Sequence, residues 1–263
     1  MNMPTVIRAD VQLGDGLVGL RSIQEGSAGM VLSDLPSGET RARFDRPPPL
    51  PEFWSAAWRA LRSDGVVALM ASRFAFAMAI VASEPRAFRY DLVWHKSIAV
   101  GFLNVRHRPL KAHEFVLVFS RTRGTYNPQK TTGHRPIHTN GGRGALGSEK
   151  YGTGQAVDTA GRPRGIARAG ATDRFPRSVL TFGSVGIRGA CRRHPQQKPV
   201  DLLRWCVRSY SNPGDLVVDP YAGSGSVGLA CAAEGRSFRG WDSDPRFGSQ
   251  PIEAIPEEVD PFT

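Results

Sequence analysis

Near the carboxyl end of this 263-residue chain runs LVVDPYAGSGSVGLACAAEGRSFRGWD, from Leu216 to Asp242. A short apolar strand ends in Asp219, a loop holds Gly223, Gly225 and Gly228, an apolar helix follows, and a second strand ends in Asp242. Glycines at that spacing let a backbone approach a nucleoside closely, and a carboxylate at the next strand end captures ribose hydroxyls. Such a strand–loop–helix–strand unit belongs inside a parallel sheet covered on both faces. Only a short tail follows Asp242, so the remaining strands must precede the loop. A nicotinamide-dinucleotide unit ordinarily opens its domain and continues through further βα units. The position therefore argues against that cofactor and for a circularly permuted sheet.

The first 120 residues supply those strands. AGMVLSD reads as a strand ending at Asp34, and GVVALMAS as a buried strand. PEFWSAAWRALRS, with Phe53, Trp54, Ala57, Trp58 and Leu61 at helical spacing behind a proline, reads as a helix with a buried face. RFAFAMAIVAS reads as a buried helix, FRYDLVWHK and AHEFVLVFS as strands, and KPVDLLRWCVRSYS as an amphipathic helix. Between residues 121 and 178 the apolar runs vanish. Basic residues outnumber acidic ones eleven to three there, the acids being Glu149, Asp158 and Asp173. A stretch of this kind builds no core of its own and is a functional loop or a linker. The expected division is a first half over 1–120, an irregular insertion over 121–178, a second half of the same domain over 179–242, and a fraying acidic tail over 243–263.

Charge and cysteines narrow the setting. The chain carries 34 Lys and Arg against 24 Asp and Glu, with a pI near 10.1. Such an excess favours a polyanionic partner. Cys191, Cys206 and Cys231 cannot all pair, which fits a reducing cytoplasm; no signal peptide is expected, and no apolar run reaches the length of a membrane span. His134, His138, Cys191 and His194 are too loosely spaced for a zinc site, and no metal is expected.

The order of the pieces carries a resemblance. Asp219-Pro220-Tyr221-Ala222-Gly223-Ser224-Gly225 resembles the Asp-Pro-Phe-x-Gly-Ser-Gly cofactor loop of S-adenosylmethionine-dependent DNA amino-methyltransferases of the permuted class. His194-Pro195-Gln196-Gln197-Lys198-Pro199 matches that family's His-Pro-x-Gln-Lys-Pro element. Asp34-Leu35-Pro36-Ser37 occupies the place of its Asp-Pro-Pro-Tyr catalytic turn. RPLKAHEFVLVF resembles its Arg-x-x-His-Glu strand, and LGDG (Leu13 to Gly16) its N-terminal Gly-Asp element. The matches run in family order along most of the chain, sparing residues 121–178, where the family places its variable target-recognition region. The compact layout is similar to that of phage and prophage modification enzymes.

The resemblance implies a Rossmann-like α/β methyltransferase fold, circularly permuted, with a mostly parallel sheet flanked by helices. It implies S-adenosyl-L-methionine as cofactor, double-stranded DNA as partner and a base flipped out of the duplex. Asp34 would accept an N–H of the target amine, and the carbonyl of Leu35 or Pro36 the other, within a turn closed by Ser37. Asp219, Pro220, Tyr221, Gly223 and Gly225 would hold the methionine part of the cofactor, and Asp242 its ribose. Lys198 would stand near the methionine carboxylate and Asp15 near the adenine. Arg135, Arg143, Tyr151, Arg162 and Arg164 of the insertion are candidates for DNA contact. Adenine N6 is the expected target, because Asp at the first catalytic position goes mostly with adenine. Cytosine N4, a degenerate binder, an RNA enzyme and an NAD-dependent oxidoreductase are the rivals. No partner nuclease is assumed, and monomer and homodimer both stay open.

Each assignment has a plainer competitor. A strand-end Asp is often a turn or cap residue, Lys198 can be a surface lysine heading a helix, and His113 with Glu114 can be a structural pair. One departure from the family matters. Ser37 stands where an aromatic usually stacks on the flipped base, so a ring from elsewhere, Phe74 or an aromatic of 121–178, is expected to cover it.

Overall fold

The computed structural model describes residues 9–38, 45–136, 171–184 and 197–248. In chain order the elements are β1 (Ala9–Leu13), α1 (Gly16–Ser22), β2 (Ala28–Asp34), α2 (Leu50–Ala60), β3 (Leu61–Ala71), α3 (Phe74–Ser83), β4 (Phe88–Val100), β5 (Lys111–Phe119), β6 (Val179–Phe182), α4 (Val200–Tyr210), β7 (Leu216–Asp219), α5 (Ser226–Ala233) and β8 (Ser237–Asp242). The described residues form two compact units, one of 9–127 with 177–248 and one of 128–136 with 171–176.

The larger unit holds one sheet in the order β1-β8-β7-β2-β3-β5-β4-β6. All neighbours pair in parallel except at β5, which is antiparallel to both β3 and β4. The expected α/β architecture, a mostly parallel sheet flanked by helices, is the one observed. Alternate side chains of each strand feed two cores. Met30, Leu32, Val66, Ala68, Met70, Val116 and Val118 pack beneath α4 and α5 with Leu202, Cys206, Val207 and Val227. Val31, Val67, Leu69, Leu117 and Phe119 pack on the other face against Leu20, Phe53, Trp54, Ala57 and Ile80 from α1, α2 and α3. Trp54 and Trp58 are buried and stacked at 5.6 Å, as the helical spacing of α2 predicts.

Two expectations need correcting. RFAFAMAIVAS is not buried as a whole: along α3 only Ala77 and Ile80 are, while Phe74 and Met78 are exposed. Its mean hydropathy is high on every face, but it touches the sheet along one face only. The carboxyl end of FRYDLVWHK is not a strand end either, since β4 continues to Val100.

Three elements were not legible: β1, β6 and α1. The last contains Gly16 and Gly19, poor helix residues by propensity, and both are required by contact. A Cβ on Gly16 would lie 1.9 Å from the Pro220 carbonyl oxygen, and one on Gly19 2.2 Å from the Trp241 ring. Asp15 caps this helix, its Oδ1 accepting from the Val18 N–H at 2.9 Å. The helix can thus lie against β8 and the loop after β7 only because it is bare there.

The smaller unit is joined by a Thr131–Arg174 antiparallel bridge. Lys130 pairs with Asp173 at 2.7 Å and lies over the Phe175 ring. Among the described residues no helix is long and apolar enough to cross a membrane.

Gly19→Ala should lower unfolding stability by about 1–3 kcal/mol through overpacking against Trp241. Denaturant melts of both proteins measure the difference, and an unchanged midpoint would contradict the close approach.

Candidate active site

The strands ending at Asp34 and Asp219 lie side by side, β2 pairing with β7 in parallel register at Val31 and Val218. From β2 the chain proceeds toward β3, and from β7 it proceeds the opposite way toward β8. The strand order therefore reverses between them, and in such sheets a crevice opens at the carboxyl ends where connections diverge. A cleft of about 180 Å³ occupies this place. Asp15, Asp34, Leu35, Pro36, Ser37, Lys198, Asp219, Pro220, Tyr221, Gly223 and Asp242 all line it, over a floor that includes Leu32, Met70, Leu203 and Val227.

On one side of the cleft, carboxylates organise backbone. Asp219 is buried, and its Oδ1 accepts from the Ser33 hydroxyl at 2.6 Å and the Tyr221 N–H at 3.0 Å. Burial pushes its carboxyl up to about 7, against the lowering effect of those two hydrogen bonds. Asp242 accepts from the Gly223 N–H at 2.9 Å through Oδ2 and from the Asp244 N–H at 2.7 Å through Oδ1. It thereby fastens the glycine loop to the end of β8. Gly223 and Gly225 have φ of 50° and 75°, and a Cβ on Gly223 would enter open space. Gly225 is outside the cleft lining and caps α5, and Gly228 is buried within that helix.

On the other side, four charges meet. The Lys198 ammonium lies 2.8 Å from Asp34 Oδ2 and 3.0 Å from Glu114 Oε2, and Lys96 pairs with Glu114 Oε1. Desolvation raises the Asp34 carboxyl above its ordinary value, and the Lys198 charge pulls against that rise. Burial raises Glu114 less than its two lysines lower it, so its carboxyl falls below the usual range. Desolvation of Lys198 is likewise overcome by Asp34 and Glu114, and its pKa is raised. The turn after Asp34 is held by a further carboxylate: Asp45 Oδ1 accepts from the N–H groups of Ser37 and Gly38, each at 2.8 Å.

Sequence reasoning missed Asp45 and Lys96, and paired Glu114 with the wrong neighbour. His113 is exposed and lies edge-on to Phe115, whereas Glu114 points to the opposite face and is buried. The alternation of a strand carries that signal. Glu114 is also a charged residue within a largely apolar strand, a pattern that calls for a partner, whereas Lys96 lies in a strand with several other charged residues and gives no such signal. Asp45 has no comparable signature. Phe74 is 66 % exposed and stands at the carboxyl end of β3, the strand beside β2, its ring centroid 6.0 Å from that of Phe115. Arg135 lies in the smaller unit, its carbonyl accepting from the Arg174 guanidinium. Arg143, Tyr151, Arg162 and Arg164 lie outside the described residues, as do His138, Cys191, His194, Pro195 and Gln196.

The donor set fits a cationic nucleoside ligand. Asp15, Asp219 and Asp242 line one side of the cleft and Asp34 and Lys198 the other, over an apolar floor, and the glycine at 223 leaves room for a ligand along the loop. S-adenosyl-L-methionine, with a sulfonium, an ammonium and a ribose diol, has the matching groups.

A family model described as DNA methylase, covering N6 and N4 amino-methylases, matches residues 49–250. The type II methyltransferase M.XycI of Xanthomonas campestris pv. cyanopsidis is 30 % identical over 159 residues, which are 60 % of this chain and 41 % of that protein. The DNA adenine methyltransferase YhdJ of Escherichia coli is 51 % identical over 75 residues, 28 % of this chain and 26 % of that protein. The matched region thus spans less than half the length of either relative. Among solved structures, M1.HpyAVI in complex with SAM superposes with a TM-score of 0.57 at 18 % identity, covering 91 % of this chain and 95 % of that one. With the family model spanning most of the chain, and with the cleft at the reversal of strand order, the protein belongs to the S-adenosylmethionine-dependent DNA amino-methyltransferase family.

Proposed function

We propose that this chain transfers a methyl group from S-adenosyl-L-methionine to an exocyclic amine of a base in double-stranded DNA, with adenine N6 as the target. The observation that carries the reading is the position of Asp34. It sits on the rim of the same cleft as Asp219, Asp242 and the glycine loop, with its carboxylate fixed by Lys198.

When bound, the cofactor supplies a methyl carbon activated by a sulfonium whose departure as a neutral thioether needs no acid. The difficulty lies with the amine, whose lone pair is delocalised into the base. Asp34 accepts one N–H, and the carbonyl of Leu35 or Pro36 accepts the other, which holds the lone pair on nitrogen and directs it. Pro36 stiffens this turn, and the Asp45 clamp on the amides of Ser37 and Gly38 fixes its far end. After transfer the amine carries an extra proton, which passes to Asp34 and on to solvent. Desolvation, which raises the Asp34 carboxyl, favours that step, while Lys198 keeps it anionic beforehand.

Lys198 is drawn closer to the chemistry than a cofactor contact alone. Two of the three N–H groups of an ammonium suffice for Asp34 and Glu114, and the third serves the carboxylate of the methionine part. On the opposite wall Asp219 holds the cationic part of the ligand, Asp242 its ribose and Asp15 the adenine end. Phe74 takes the place of the ring that Ser37 lacks. Adenine rests on Asp at the first catalytic position and on a relative named as a DNA adenine methyltransferase. Cytosine N4 is the second reading, because the family model spans both amines. Arg135 and the arginines of the insertion contact phosphates of the duplex.

Incubation with labelled cofactor and unmethylated genomic DNA, followed by nucleoside mass spectrometry, tests the reading. N6-methyladenine is the expected product, N4-methylcytosine transfers the case to the second reading, and no label in any base refutes both. Asp34→Ala should lower transfer by about 10²–10⁴-fold while cofactor affinity stays within about threefold, by calorimetry. A variant that still turns over at the natural rate removes Asp34 from the mechanism.

The Asp219 carboxyl, raised to about 7, gives cofactor binding a pH dependence of definite sign. A cationic ligand selects the ionised form. Affinity should therefore weaken by about tenfold for each unit below pH 7 and level off as Asp219 ionises, before the ligand's own ammonium begins to titrate near pH ~8. In Asp219→Asn that slope should vanish and the plateau should drop. Calorimetry between pH 5.5 and 8.5 measures both, and an unchanged slope in the variant contradicts the role given to Asp219.

A further inference from the structure

β4 and β5 outrun the rest of the sheet. Their pairing at His95 and His113 is interrupted and resumes at Val100 and Lys111, and a 3-10 turn over Phe102–Asn104 closes the hairpin. Most of its apolar side chains have no cover. Ile98, Val100, Val105 and Leu110 are exposed, and at the apex Phe102 and Leu103 are 73 % and 83 % exposed. Arg106, His107 and Arg108 are exposed on the descending limb, and residues 96–111 contain no acidic residue. β4 runs in the same direction as β2, because two antiparallel steps through β5 separate it from β3. The hairpin therefore leaves the sheet at the edge where the cleft opens. Its stem is the Lys96–Glu114 pair that bridges to Lys198 and so to Asp34.

An apolar tip beside a run of cations is complementary to a polyanion with an apolar interior. Duplex DNA is one: phosphates flank stacked bases, and apolar wedges that enter the stack pay for unstacking with new contacts. We propose that the β4–β5 hairpin is a DNA wedge, with Phe102 and Leu103 entering the stack beside the target nucleotide and Arg106 and Arg108 holding the adjoining phosphates. The proposal deepens the function given above and rests on duplex DNA being the substrate. The stem of the hairpin is tied to Asp34 through Lys198, and the tip lies six residues beyond Lys96, about 20 Å at strand rise, on the side of the sheet where the cleft opens.

The test uses the full chain and a pool of duplexes carrying 2-aminopurine scattered in place of adenine, a base whose fluorescence rises when it unstacks. The natural protein should raise the fluorescence. The double variant Phe102→Ser with Leu103→Ser, both at exposed positions, should lose most of that rise and keep its melting temperature and cofactor affinity. Arg106→Gln with Arg108→Gln should instead lower duplex affinity and flatten its salt dependence. Methyl transfer is followed in parallel on native and heat-denatured DNA, and the serine variant should lose at least about tenfold on the former and little on the latter. No fluorescence rise with the natural protein, or an equal rise with the serine variant, overturns the wedge. So does a serine variant whose sole change is a loss of self-association, or of binding to anionic vesicles, because the tip would then serve a second copy or a lipid surface. A fluorescence rise with no methyl transfer to any DNA leaves the wedge standing and refutes the catalytic reading, so the two failures are distinguishable.

Discussion

The site is organised around one largely buried ammonium. Lys198, just ahead of α4, bridges Asp34 at the end of β2 and Glu114 within β5, and Lys96 of β4 completes a set of two cations and two carboxylates. Removing such charges from water is costly unless each finds a partner, and removing one partner strands the rest. The arrangement fixes the carboxylate at the mouth of the cleft. It also joins the amino-terminal stretch that supplies Asp34, Lys96 and Glu114 to the carboxyl-terminal stretch that supplies Lys198. Two parts of the chain that are distant in sequence meet at the place where a catalytic turn must face a cofactor loop.

The opposite wall is built from acids that hold backbone. Asp219 and Asp242 each accept amide N–H groups of the glycine loop or its flanks, so the loop is shaped before any ligand arrives. Preorganisation of this kind lowers the ordering cost of binding. Gly16 serves the same wall from outside by letting α1 approach Pro220. The cleft thus has an acidic side suited to a cation and a lysine-bearing side suited to a carboxylate, with an apolar floor between them.

Much of this was legible in the sequence, and the gaps have physical causes. β2, β3, β5 and β7 follow from short apolar runs, because both of their faces are buried, and α2 and α4 from helical period along one buried face; α5 and β8 follow from their places around the glycine loop. The adjacency of Asp34 and Asp219 followed from the parallel sheet and the order of the motifs. α1 was hidden by the glycines that let it pack, since local propensity and tertiary contact oppose each other there. β6 is a short edge strand whose partner lies far away in the chain. The partners of Lys198 are set by tertiary geometry, so a sequence shows the lysine but not the two carboxylates it meets. Asp45 was invisible for a simpler reason. The turn it clamps offers it backbone amides, those of Ser37 and Gly38, which have no letter in the sequence.

A crystal structure with bound S-adenosylhomocysteine is the most direct test of the account. The ligand should lie along Asp219, Tyr221, Gly223 and Asp242, with its sulfur facing the Asp34 turn and Lys198 still bridging Asp34 and Glu114. A ligand seated elsewhere, or an Asp34 carboxylate turned out of the cleft and away from Lys198, would contradict it.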